Sequence, residues 1–251
     1  MPDEQTMQRI AADVGFSETA FVAPLRGSEH TVRYFSPEIE VPFCGHATIA
    51  LGVVLGNDVG EASYQLTTAA GVVPVTVKSR DGRSEVSLRT VDTKQKPVPD
   101  AVLEEALSAL RWDEDELDPT IPPSFAFAGI WHLVIAVAAA ERLAELDYDF
   151  EKLKRLMRRE GLMTLQLIWR EDDSLFHSRN PFPVGGVVED PATGSAAAAL
   201  GGYLRDAGLV VAPAAFLVRQ GEAMGRPSLI KVDVPQTGGI FVSGPAIRIQ
   251  E

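Results

Sequence analysis

A chain of 251 residues, 45% hydrophobic and 23% charged, has an ordinary globular composition with apolar mass for one large core or two smaller ones. Its formal charge of −12 excludes the dense positive surface that phosphate backbones demand, so nucleic acid is not an expected partner. A lone cysteine, Cys44, rules out an internal disulfide, and the apolar run after His46 is too short and too broken by Gly52 and Gly56 to span a membrane; a cytoplasmic protein is expected.

The first predicted element is a helix over Glu4–Val14, with Met7, Ile10, Ala11 and Val14 at helical spacing and Gly15 placed to stop it. Thr19–Pro24 and His30–Phe35 read as strands. After a helix led by Gly45 come β-rich runs at Tyr64–Thr68, Val72–Ser79 and Glu85–Thr90, the last two separated by the hairpin signal Asp81-Gly82. Asp100–Arg111 reads as a helix, and the acidic, proline-bearing stretch Trp112–Pro123 as a linker. Beyond it lie a strand region Phe125–Val137, a helical stretch Ala140–Gly161, and strands at Leu162–Arg170 and Leu175–Ser178. A helix led by Gly194 then precedes strands at Ala215–Arg219, Leu229–Val234 and Ile240–Ile249. The basic cluster Lys152, Lys154, Arg155, Arg158 and Arg159 is expected to be the solvated face of its helix.

Two of these helices repeat each other. Sliding Gly45 onto Gly194 matches Ala47 to Ala196, Ala50 to Ala199, Leu51 to Leu200 and Gly52 to Gly201. Such an echo points to two related halves, an α+β protein of two pseudo-symmetric domains, 1–112 and 113–251. Each repeat runs from a polar loop of small residues into an alanine-rich helix, whose first N–H groups no bulky side chain covers. Helix starts of this kind attract anions, and two facing each other can hold a small carboxylate. Close helix packing alone also explains the alanines, though not the polar residues ahead of them.

Four ordered motifs then carry a resemblance: Gly15-Phe16-Ser17-Glu18-Thr19-Ala20-Phe21; Tyr34-Phe35-Ser36-Pro37 with Val41-Pro42-Phe43-Cys44-Gly45-His46-Ala47-Thr48; Gly186 through Ala196; and Gln220-Gly221 with Gly225-Arg226-Pro227-Ser228. Together they resemble the PhzF-like family of phenazine-biosynthesis isomerases. The resemblance implies the diaminopimelate-epimerase fold, in which each domain wraps a mostly antiparallel, barrel-like sheet around a central helix and the site lies between them. It implies a homodimer that needs neither metal nor organic cofactor, with the last strand returning to the first domain. Family members usually begin with a further strand ending in a Phe-x-Gly-Asn-Pro-like turn, and this sequence starts after it. They also tend to carry an arginine before the histidine where this chain reads Gly129-Ile130-Trp131-His132.

On the residues alone, Glu18 sits after a helix stop and before an apolar strand, a place where a glutamate is normally solvated and where it could also stand at the mouth of a cleft. The resemblance makes it the general acid/base, with His46 and Asp190 assisting, and with Ser17, Gly45, Gly194 and Ser195 binding the substrate. A helix start disfavours protonation of His46, which is therefore expected as a neutral imidazole. Two-cysteine racemases on this fold use two thiols, and this chain has one. A one-base proton shift through Glu18 in a small carboxylate-bearing unsaturated or cyclic substrate is therefore expected. The alternatives are an epimerase of an amino or hydroxy acid and a protein that binds a small acid without chemistry. His30, His132 and His177 are too dispersed to suggest a metal site.

Overall fold

The computed structural model of the chain describes residues 1–24, 27–59, 61–80, 83–244 and 246. Helix α1 (Glu4–Val14) starts on Asp3, whose carboxylate accepts the Thr6 N–H at 2.9 Å, and ends at Gly15 in the left-handed conformation, φ 69°. Strands β1 (Thr19–Pro24) and β2 (Glu29–Phe35) pair antiparallel, followed by β3 (Glu40–Val41) and α2 (Gly45–Val59). The meander β4 (Ala62–Thr68), β5 (Gly71–Arg80) and β6 (Arg83–Arg89) completes the first lobe. Asp81-Gly82 lies outside the described residues.

The second lobe holds β7 (Lys94–Pro97), α3 (Asp100–Leu110), β8 (Ser124–Phe127), β9 (Trp131–Val137), α4 (Ala140–Ala144) and α5 (Phe150–Glu160). It continues through β10 (Leu162–Asp172), β11 (Leu175–Pro181), β12 (Glu189–Asp190), α6 (Gly194–Asp206), β13 (Ala214–Gln220), β14 (Ser228–Val234) and β15 (Phe241–Gly244). All strands join one sheet, in the order β1-β2-β4-β5-β6-β15-β14-β13-β11-β10-β9-β8-β7, with β3 on β2 and β12 on β11. Strand β15 pairs with β6 and so stitches the lobes together; positions 245 and 247–249 of the strand read from the sequence lie outside the described residues. Helix α6 touches β7 and β8 at one end of its lobe's sheet and β14 and β15 at the other, so the sheet wraps around it. Every residue of α6 from Gly194 to Leu204 is buried, which is why the helix is alanine-rich rather than amphipathic.

The internal repeat extends well beyond the two glycine-led helices. Helices α1 and α5 are both 11 residues long, both are capped by an aspartate (Asp3, Asp149), and both stop at a left-handed glycine (Gly15, Gly161). In each lobe an arginine on the strand that follows grips a glutamate on the short strand beside it: Arg33 with Glu40, and Arg179 with Glu189. Helices α2 and α6 then start side by side.

Four details differ from the sequence reading. The helical stretch Ala140–Gly161 is two helices, because Asp149 accepts the Lys152 N–H and begins α5 afresh. Strand β7 has no apolar alternation to announce it; it forms by pairing with β8, where Lys96 lies 5.0 Å from the Phe125 ring and 4.8 Å from that of Trp131. It thus joins the sheet beside β8, and α3 packs on α5, although both precede position 112. Trp112 and Ile121, in the stretch read as a linker, are buried in the core. Finally, Lys154 is buried rather than solvated, its ammonium 2.7 Å from both oxygens of Glu38 on the other lobe.

Tyr34 couples the first lobe's sheet to the start of α2. It is fully buried, its hydroxyl lies 2.6 Å from that of Thr48, and Thr48 in turn donates to the Cys44 carbonyl at 2.6 Å. Tyr34→Phe strands one buried hydroxyl partner and should lower unfolding free energy by about 1–2 kcal/mol, measurable by urea denaturation.

Candidate active site

The site forms where the two repeated helices start. An ideal Cβ on Gly45 would lie 2.8 Å from Gly194 Cα and 3.2 Å from the Ser195 nitrogen, so the two backbones abut. Only glycine permits that approach. The first-turn N–H groups of α2 and α6 have no intrahelical acceptors and lie beside each other, each at the positive end of its helix. Gly45, Gly194 and Ser195 thus stand together, as the repeat suggests.

Glu18 reaches this junction from the start of β1. Its side chain is 5% exposed, and Oε2 lies 3.4 Å from His46 Nε2 without a well-formed hydrogen bond. Burial, reinforced by the negative charge of Asp190, pushes the Glu18 carboxyl up to about 7. His46 is held from behind: its Nδ1 lies 2.6 Å from the Ala192 carbonyl oxygen, which can only accept, so Nδ1 carries the hydrogen and Nε2 faces Glu18. Ser17 Oγ is 3.5 Å from the same Nε2. Asp190 Oδ1 lies 3.8 Å from Nδ1, while Oδ2 accepts the Thr193 hydroxyl at 2.6 Å.

The expectation that the helix start depresses protonation of His46 is corrected by these neighbours. Burial does oppose charge on the ring, but Asp190 and Glu18 outweigh it and hold the imidazole pKa above its ordinary value. A helix start contributes about half an elementary charge, whereas each carboxylate contributes a whole one at 3–4 Å. Cys44 lies 3.5 Å from His46 Nδ1, and burial, with the charges of Glu18 and Asp190, pushes its thiol well above the usual range. It stays a protonated thiol. Glu18, Cys44 and His46 bring their ligand atoms within 4.8 Å of one another, so they alone among the described residues could reach one cation.

Gln220, which sequence reasoning left among the motif residues without a role, braces the second loop. Its amide donates to the Asp190 carbonyl at 2.7 Å and to Thr193 Oγ1 at 2.9 Å, and its oxygen accepts the Thr193 N–H at 3.0 Å. The space enclosed by Glu18, His46, Asp190 and the two glycines is about 10 Å³, room for about one water. On the other side of His46 and Gly194 an open cavity of about 350 Å³ is walled by Ile49, Ala50, Pro227 and Leu229.

These ionisations make stability depend on pH. Between about 4.5, where an unfolded glutamate titrates, and about 7, the folded protein holds a proton on Glu18 that the unfolded chain has lost. What that proton contributes is complete at low pH and disappears as pH rises through this window. His46 acts in the same sense, its contribution present below 6.5 and lost as pH passes its raised folded value. Unfolding free energy should therefore fall by about 3 kcal/mol from pH 5 to pH 8.5. Glu18→Gln should remove most of that slope in urea titrations at the two pH values.

A buried carboxyl poised near neutrality beside a histidine is chemically able to accept and return a proton. Residues 2–251 match the model of the phenazine biosynthesis-like protein family, PhzC-PhzF. A Deinococcus radiodurans protein described as an uncharacterized isomerase is 34% identical over 242 residues, covering 93% of this chain and 78% of its own. Among solved structures, a PhzF-family phenazine biosynthesis protein from Bacillus anthracis superimposes with a TM-score of 0.82 at 23% identity, covering 99% of this chain and 88% of its own. A hydroxyproline epimerase from Agrobacterium vitis, with bound trans-4-hydroxy-L-proline, shares the fold at 14% identity and a TM-score of 0.68, covering 92% of this chain and 72% of its own. The chain belongs to the PhzC-PhzF family, and its architecture is the diaminopimelate-epimerase-like α+β fold. No helix among the described residues is long and apolar enough to cross a membrane.

Proposed function

We propose that the protein is a cofactor-independent isomerase that shifts a proton within a small carboxylate-bearing unsaturated or cyclic metabolite, using Glu18 as its one base. The carrying observation is an asymmetry inside the symmetry. Glu18 stands three residues beyond the glycine that ends α1, and the residue three beyond the glycine that ends α5 is Thr164. Ser195 stands at the repeat position of His46, and Thr193 at that of Cys44. Thr164 lines the same small space as Glu18. The second lobe therefore answers each titratable group of the first with a neutral hydroxyl. Its one acid at the site, Asp190, is tied to Thr193 and the loop it braces.

In this reading the substrate carboxylate is held by the first-turn N–H groups at Gly45, Gly194 and Ser195, with Ser17 closing the cleft beside Glu18. Glu18 takes a carbon-bound proton and returns it one or more atoms away on the same face. His46 Nε2 takes the proton in turn when Glu18 must be ionised to act, and Asp190 stabilises the imidazolium that results. The enclosed space is too small for a substrate, so the lobes part to admit it, and the apolar cavity beyond His46 receives the body of the molecule.

The test is to incubate the protein in D₂O with a panel of small cyclic and unsaturated carboxylic acids and follow products by NMR. A one-base shift moves a double bond and returns part of the substrate's own hydrogen to the product. Inversion at an otherwise unchanged carbon, with complete uptake of solvent deuterium, would replace this reading with the epimerase.

A further inference from the structure

His132 is the one histidine that the proton chemistry leaves unused and that is also fully buried. Burial pushes its pKa down to about 3, so the ring is neutral at every working pH. Its two nitrogens bridge Thr164 and Ser195: Nδ1 lies 2.8 Å from Thr164 Oγ1, and Nε2 lies 3.2 Å from Ser195 Oγ. Behind Thr164 the chain of bonds continues. Ser178 donates its hydroxyl to Asn180 Oδ1 at 2.6 Å, and the Asn180 amide donates to Thr164 Oγ1 at 3.2 Å. All five residues are buried.

One direction of donation uses every group in this chain. Thr164 Oγ1 accepts from Asn180, and in that direction its own hydrogen goes to His132 Nδ1, 2.8 Å away. The ring proton then sits on Nε2 and is donated to Ser195 Oγ. That leaves the Ser195 hydrogen as the free end of the chain, in a residue whose surroundings include Glu18, Gly45 and His46. Hydrogen bonds aligned head to tail polarise one another, so the last hydroxyl is a stronger donor than an isolated serine.

We propose that His132 is a positioning residue, which with Thr164 turns the Ser195 hydroxyl into a fixed hydrogen-bond donor aimed at an anionic oxygen of the substrate, its carboxylate or an enolate formed from it. The proposal rests on the reading of the two helix starts as the substrate's anion cradle. It explains why the second lobe places neutral hydroxyls where the first has Glu18 and His46: one lobe moves the proton and the other holds the charge.

The experiment is ¹⁵N NMR of the whole protein with labelled histidine. His132 should carry its hydrogen on Nε2 from pH 5 to pH 8, and that resonance should shift in Ser195→Ala, which removes its acceptor. Thr164→Val, equal in shape but without a donor, should lose the Nε2–H preference. Formate then serves as the smallest carboxylate probe. Ser195→Ala and Thr164→Val should each weaken its binding about tenfold, the loss of one hydrogen bond to a charged group, and the double variant no further than Ser195→Ala alone. A hydrogen on Nδ1 in the wild type, with Ser195 donating to Nε2, would overturn the proposal, as would independent, multiplying losses in the double variant. Should the variants fail to fold, the wild-type tautomer decides; should formate fail to bind the wild type, the cradle itself is refuted while the tautomer still judges the chain.

Discussion

Glu18→Gln should lower the rate of proton transfer by about 10³-fold, the scale of a general acid/base that no neighbour replaces, while leaving the protein folded. The amide keeps the size and shape of the carboxyl but neither accepts nor gives up a proton near neutrality. No nearby group can substitute. Cys44 is held as a thiol by burial and by the charges of Glu18 and Asp190, and the matching position of the second lobe carries Thr164. The same substitution should stabilise the protein above pH 7, because it removes a carboxylate that the folded state leaves poorly solvated, with Oε2 lacking a hydrogen-bond partner. Loss of activity together with a gain in stability distinguishes a catalytic acid from a structural one. Activity is read from isotope exchange on any acid the panel identifies, and stability from urea denaturation at pH 8.5. Full exchange in the variant would remove Glu18 from the mechanism.

Gly45→Ala should have an effect of comparable size through geometry alone. The added methyl would meet Gly194 Cα at 2.8 Å, Gly194 C at 3.1 Å and the Ser195 nitrogen at 3.2 Å, all backbone atoms that no rotamer change can move. The lobes must separate where the two helix starts abut. A shift of about 1 Å in a positioned catalytic site costs on the order of 10²-fold in rate, and overpacking of this kind costs about 1–3 kcal/mol in stability. Turnover and denaturation measured on the same sample check both. A variant with unchanged activity would show that the helix starts do not need to touch.

The pieces most legible in the sequence were those with a local cause. Gly15 stops α1 because a left-handed cap needs no more than a glycine and a periodic run before it, and the Gly194 motif announces a buried helix through its small residues alone, whereas α2 leaves Ala50 and Val54 exposed. The candidate site was legible because the repeat pointed to the two glycines and the resemblance carried by the motifs pointed to Glu18, His46 and Asp190, and the fold does bring these residues to one small space. What stayed hidden depends on partners distant in the chain. Strand β7 exists because β8 offers an edge, with aromatic rings from β8 and β9 beside it; Lys154 is buried because Glu38 arrives from the other lobe. The upward push on the His46 pKa comes from Asp190 and Glu18, 144 residues after it and 28 before it, which no helix-start argument includes. Gln220 and His132 act by bonding loops together, and nothing in their immediate neighbours marks them for it. A fuller comparison of the two halves, extended from the helices to the caps and strands around them, was the one sequence signal that would have set Thr164 opposite Glu18.

Proton transfer by Glu18 requires a carboxyl that is part protonated and part ionised at working pH. Carbon-13 NMR of glutamate-labelled protein, with Glu18→Gln supplying the assignment, measures this without any substrate. The structure predicts a titration midpoint close to 7. A midpoint at the ordinary glutamate value of about 4.5 would mean a solvated carboxylate, and would contradict the mechanism.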